Sequence, residues 1–315
     1  NSQNKVTRDS CAVALNDIVG KYAEVAEHEI NSVIGDKKAT DELRGFTRPD
    51  QARHISDDIE TEVVDSLIEA VSSRNDISEK YYALKAKLMG VEKLGYHERN
   101  VEYGENGAKV YKFEDSVELV HKVFNDLDPK FAEIFADFLE KGLVDIYPRK
   151  GKRNGAFCSD NIMAQPTFVL LNHTDTFNDV TTIAHEFGHA INSIMMREKR
   201  HALDFGMSLS TAEVASTFME DFVLQELLKT ADDEMKLSIL MTKLNDDISA
   251  ISRQVAAYKF EQDLHAAYAE TGYVSQAEIG KIFRKNMEAY MGEAVSQDPG
   301  SENWWVYWNH FRTFF

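Results

Sequence analysis

The stretch Thr181-Thr182-Ile183-Ala184-His185-Glu186-Phe187-Gly188-His189-Ala190-Ile191-Asn192-Ser193 sets two histidines four residues apart, with a glutamate directly after the first. At about 3.6 residues per turn, positions i and i+4 share one helix face. His185 and His189 can therefore hold one metal ion between them, and Glu186 projects close enough to serve as general base on water bound there. That reading requires a helix. Val180, Ile183, Ala184, Phe187, Ile191, Ile194 and Met195 recur at three- and four-residue spacing without a proline, and Asn178-Asp179 offers a cap. The spacing predicts a helix from about 179 to 198.

A catalytic zinc takes three protein ligands and keeps one position open. The next helical segment, Ser210-Thr211-Ala212-Glu213-Val214-Ala215-Ser216-Thr217-Phe218-Met219-Glu220, offers two carboxylates on one face, with small residues between them that permit close helix packing. One carboxylate suits the metal, and the other suits a hydrogen bond to a ligand histidine. Spacing alone leaves a solvated acidic face equally open.

These residues carry a resemblance. His185-Glu186-Phe187-Gly188-His189, followed by Glu213 in Ala-Glu-Val-Ala-Ser-Thr-Phe-Met-Glu, resembles the thimet-type metallopeptidases, specifically the oligoendopeptidase F branch. Tyr147 to Cys158, Leu170-Leu171-Asn172-His173-Thr174, and Arg253-Gln254 through Phe260-Glu261 are similar to that branch as well. The likeness is strong over 145–315 and weak before it. It implies His185, His189 and Glu213 as ligands of one Zn2+ per chain, Glu186 as the base, and Glu220 as a carboxylate behind the ligands. The implied substrates are short peptides, cleaved at internal bonds.

Composition fits such an enzyme without naming it. A chain of 315 residues, 43% hydrophobic, can bury a large core, and only five prolines among many Ala, Leu, Glu and Lys favour helices. A net charge of -18 argues against nucleic acid and anionic membranes as partners. Two cysteines, Cys11 and Cys158, make no disulfide framework and fit a reducing, cytoplasmic compartment. The sequence contains no run of apolar residues long enough to span a bilayer. It begins at Asn1 without methionine, which leaves a removed leader open.

In chain order, helices are expected over about 10–34 (ended by Gly35-Asp36), 57–73, 77–90, 114–126, 129–142, 211–229, 232–270 and 275–292. His28 and His54 read as surface or capping residues. Gly95, Gly104, Asn106 and Gly107 suggest a turn-rich connector or weak hairpin over 95–112. The β content is expected within 146–177, where a strand just before the histidine helix could pair with an extended peptide. Arg149, Lys150, Lys152 and Arg153 read as a solvated basic loop or a contact for a substrate carboxylate. Residues 201–210 read as a loop that could move. Arg253, Glu261 and His265 read as buried or interfacial structural pairing rather than as catalytic residues.

The tail, Asn303 to Phe315, packs seven aromatics into thirteen positions. In the family this stretch runs on into a tyrosine-rich segment that binds substrate and stabilises the oxyanion. His310 resembles the histidine preceding those tyrosines and is carried as a catalytic candidate, with Tyr307 as a partial substitute. Relatives are nearly twice this length, so the resemblance implies a fragment: 1–144 as a helical channel wall, 145–315 as a zinc catalytic domain shortened at its C-terminus. The expected fold is mainly α, a zincin-like helical metallopeptidase domain with a small β-sheet beside the histidine helix. The alternatives are a non-catalytic zinc- or peptide-binding fragment and a metallo-exopeptidase.

Overall fold

The structure is a computed structural model that describes residues 2, 4–104, 110–160 and 162–312. Its helices, in chain order, are α1 (Lys5–Arg44), α2 (Gln51–Ser56), α3 (Thr61–Ser72), α4 (Asn75–Leu88), α5 (Phe113–Leu127), α6 (Pro129–Glu140), α7 (Phe177–Lys199), α8 (Leu209–Thr230), α9 (Asp233–Ala250), α10 (Ser252–Thr271) and α11 (Gln276–Met291). Among the described residues five short strands accompany them: β1 (Leu94–Gly95), β2 (Val144–Asp145), β3 (Phe157–Ser159), β4 (Phe168–Leu170) and β5 (Val295–Ser296). The fold is mainly α, as expected. No helix among the described residues is long and apolar enough to cross a membrane.

Two compact units divide the chain, and not at 144/145. One is the chain up to Tyr103 together with the chain from Leu240 onward; the other runs from Gly104 to Ile239. The physical reason is separate cores. Phe124, Phe135 and Phe138 of α5 and α6 bury with Phe187 of α7, Val169 of β4 and Val223 of α8, whereas α1, α4, α10, α11 and the aromatic tail share another core.

In the Gly104–Ile239 unit, α7 matches the predicted span, but its cap is Thr176. Asp179 Oδ2 accepts hydrogen bonds from the Thr176 backbone N–H and hydroxyl, both at 2.8 Å, closing a capping box. Phe187 is fully buried and meets the Phe135 ring edge-on at 4.4 Å between centres. The sheet has the order β2-β4-β3, with β2 parallel and β3 antiparallel to β4. The strand nearest the histidine helix in sequence, β4, therefore has both edges paired. The edge offered to an extended peptide is that of β3.

In the other unit, Gly35 does not end α1. A Cβ there would come within 2.6 Å of Tyr268 Oη, so the glycine makes room for α10, and the helix runs on until Gly45 caps it at φ +74. Among the described residues no hairpin forms from Gly95; Leu94–Gly95 instead pairs in parallel with Val295–Ser296. Asn106 and Gly107 lie outside the described residues. The long helix expected over 232–270 breaks at Ile251, between α9 and α10.

His54 is buried, contrary to its reading as a surface residue. Tyr258 donates its hydroxyl proton to Asp50 at 2.8 Å and so accepts from His54 Nε2 at 2.9 Å, while Thr61 Oγ1 sits 3.0 Å from Nδ1. Arg253 and Glu261 form no ion pair with one another among the described residues. Arg253 lies over the Trp308 ring, 4.4 Å from its centre, and burial alone pushes the Glu261 carboxyl up to about 8. The tail is apolar because it packs: Trp304, Trp305 and Phe311 are buried, on the 3-10 turns Ser301–Tyr307 and Asn309–Arg312. Phe314 and Phe315 lie outside the described residues.

Candidate active site

Helical spacing puts the His185 and His189 rings side by side, with centres 5.1 Å apart and planes nearly perpendicular. What brings α8 against them is the residue between. A Cβ on Gly188 would stand 2.5 Å from Ser216 Cα and 2.7 Å from the Ala215 carbonyl oxygen, so the two helices touch backbone to backbone there. That approach carries Glu213 to both rings: Glu213 Oε2 is 3.2 Å from His185 Nε2 and 3.4 Å from His189 Nε2. The Ser216 hydroxyl donates to the same oxygen at 2.8 Å.

These distances test whether a metal fits. Ligands about 2.1 Å from a tetrahedral zinc are separated from one another by about 3.4 Å. The two histidine–carboxylate separations match that edge length, and all three ligand atoms lie within 4.8 Å of one another. Each ring is also held from behind. Glu220 Oε2 lies 3.2 Å from His185 Nδ1, and His189 hydrogen-bonds the backbone of Ala212. The Glu220 contact leaves Nε2 of His185 free to face a metal, and Nε2 is likewise the His189 atom nearest Glu213.

Among the described residues a second cluster, Asp9, His97 and Glu98, has comparable spacing. Its charge is already met by cations: Lys5 is 3.3 Å and Arg8 2.7 Å from the Glu98 carboxylate. A further cation has no place there.

Glu186 points to a different use from Glu213. It is buried, its carboxylate accepts a hydrogen bond from the Cys158 backbone N–H on β3, and burial pushes its pKa up to about 7. The Glu213 charge pushes in the same direction, while His185 and the Cys158 N–H oppose. Burial pulls His185 down, but the hydrogen bond to Glu220 and the charges of Glu186, Glu213 and Glu220 outweigh it and leave it raised. For His189 burial wins, and its pKa is lowered. A carboxyl poised near neutrality beside a candidate ligand trio is suited to moving protons.

The three candidate ligands and Glu186 line a cavity of about 500 Å3, together with Phe157 and Cys158 of β3 and Met207 from the loop before α8. His310 and Tyr307 belong to the other unit, on its 3-10 turns. Of the expected site residues, the structure thus gathers His185, Glu186, His189, Glu213 and Glu220. Sequence reading missed the Cys158 N–H, which is backbone and leaves no residue-type signal. It also left Asn172 without a role, although its amide clamps the turn before β3 by donating to the carbonyls of Arg153 and Gly155, at 2.9 and 2.7 Å.

Comparison with known proteins adds an independent line. The model of peptidase family M3 matches residues 1–314. Oligopeptidase PepF of Bacillus subtilis is 24% identical over 311 residues, covering 98% of this chain and 46% of its own length. An oligoendopeptidase F homolog of Borreliella burgdorferi is 27% identical over 284 residues, covering 88% of this chain and 48% of its own. A solved peptidase structure from Chlamydophila abortus superposes over all of this chain and 53% of that one, with a TM-score of 0.84 at 25% identity. The chain spans about half the length of the curated relatives it matches.

Proposed function

Because the chain belongs to peptidase family M3, we propose that this centre is that of a zinc-dependent endopeptidase hydrolysing internal bonds of short oligopeptides. One observation carries the reading: a single Glu213 oxygen sits at tetrahedral-edge distance from both His185 and His189, while the buried Glu186 beside them remains outside the ligand set. A structural zinc site has no use for such a carboxyl.

His185, His189 and Glu213 would hold the ion, which when bound supplies Lewis-acid polarisation of water and of the peptide carbonyl. Glu186 takes a proton from the attacking water and delivers it to the leaving amine nitrogen as the peptide bond breaks. The Cys158 N–H keeps that carboxylate aimed at the cavity. Glu220 fixes the His185 ring. The β3 edge beside them suits an extended peptide, whose backbone would continue the ladder. The likeness of the tail supports His310 as a further catalytic residue. Two unpaired thiols, Cys11 and Cys158, support a cytoplasmic location.

The test is bound zinc per chain, together with hydrolysis of a quenched fluorescent peptide of about eight residues with and without a chelator. One zinc and chelator-sensitive internal cleavage are expected. Zinc without cleavage turns the reading into that of a non-catalytic binding fragment, and release of single terminal residues turns it into an exopeptidase.

A further inference from the structure

Strand β3 has opposite charges at its two ends. Before it stands Arg153, exposed, with its guanidinium carbon 5.3 Å from the centre of the Phe157 ring that lines the cavity. Its neighbours in the basic cluster are occupied: Arg149 and Lys152 both bind Asp145, at 2.6 and 3.0 Å. Arg153 makes no ion pair among the described residues. Its backbone, in contrast, is held. Asn172 bonds the carbonyls on either side of the turn, and Gly155, at φ +79, supplies a conformation that side-chain-bearing residues rarely adopt. After the strand stands Asp160, which lines the same cavity and likewise makes no ion pair among the described residues.

An extended peptide is itself a dipolar rod, and electrostatic complementarity fixes register and orientation more than it adds affinity. An arginine over an aromatic ring, its backbone held by Asn172, in a chain of net charge -18, is a selective seat for a carboxylate. We propose that Arg153 and Asp160 set the polarity of the bound peptide. The peptide lies antiparallel to β3, with a carboxylate on the C-terminal side of the scissile bond at Arg153 and a positive charge on the N-terminal side at Asp160. Cys158, between the two, faces the scissile bond through its contact with Glu186. Arg153 and Asp160 are specificity-determining residues in this scheme, and the scheme rests on the peptidase reading of the centre.

The carboxylate can come from the peptide C-terminus or from an acidic side chain, and the positive charge from the N-terminus or a basic side chain. The experiment separates these sources. Binding of non-cleavable hexapeptides, with the central amide reduced, is measured by fluorescence anisotropy on the zinc-loaded chain. The series compares free and amidated C-termini, free and acetylated N-termini, and Glu against Gln after the central bond and Lys against Gln before it in the blocked peptides. Arg153→Gln is expected to weaken the carboxylate-bearing peptide about tenfold and leave the amidated Gln peptide unchanged. Asp160→Asn should do the same for the peptides with a free amine or Lys. Lys150→Gln, an exposed member of the same cluster, should change neither. Equal losses for charged and blocked peptides, or no loss at all, would overturn the assignment while leaving the peptidase reading intact. If Arg153→Gln instead responds to charge on the N-terminal side, the orientation is parallel and the proposal is wrong. Failure of the wild-type chain to bind any peptide overturns the peptidase reading and this one with it.

Discussion

Glu220 Oε2 and Glu213 Oε2 each lie 3.2 Å from His185, the first at Nδ1 and the second at Nε2, so one imidazole is gripped from both nitrogens by carboxylates seven residues apart on α8. The grip divides the labour between ligand and support. Glu213→Ala removes a ligand and should abolish stoichiometric zinc. Glu220→Ala should leave a site whose affinity is lower by about 10 to 100-fold, read by competition with a chelator. Equal retention of zinc by both variants would place the third ligand elsewhere.

Glu186→Gln keeps shape and burial while removing the proton acceptor. Zinc content should stay near that of the wild type, and turnover should fall by about 100 to 10,000-fold. Metal loss in this variant would make Glu186 a ligand.

Gly188→Ala inserts a methyl group against the backbone of Ser216 and Ala215, neither of which can rotate away. The expected cost is about 1 to 3 kcal/mol of stability, with weaker zinc binding as Glu213 withdraws. Gly20→Ala is the control. It meets nothing within 4 Å on the exposed side of α1 and should be neutral or stabilising by about 0.5 to 1 kcal/mol. Thermal melts and zinc titration of both variants decide the matter.

Glu261 makes stability depend on pH. Burial raises its pKa from 4.5 to about 8, so the folded chain binds a proton there that the unfolded chain has released. Its contribution is fully present below about 4.5 and is lost as pH rises through about 8. Glu261→Gln should therefore raise Tm at pH 9 and leave it little changed at pH 4. A gain of the same size at both values would show that the carboxyl does not titrate in that range.

His310→Ala should lower kcat/KM by about 100-fold, with zinc content unaffected, if the histidine serves the developing oxyanion. Unchanged cleavage of the fluorescent peptide would remove His310 from the catalytic set.

The amino-acid order by itself determined the helical character of the chain, because apolar residues at three- and four-residue spacing and a near absence of proline are local signals. It likewise determined the histidine pair, since four residues of helix return a side chain to the same face whatever surrounds it. Only tertiary structure decided which carboxylate meets Nε2 of both histidines. Glu213 and Glu220 share a helix face, and it is the contact of Gly188 with Ser216 that sets α8 in register with α7. The same holds for Gly35: its sequence signal as a helix stop is overruled by Tyr268, a residue far along the chain that needs the space. His54 is another case, buried through a hydroxyl on α10 that no local pattern announces. Local periodicity specifies which side chains share a face. Long-range packing specifies what that face touches, and the chemistry of the site depends on both.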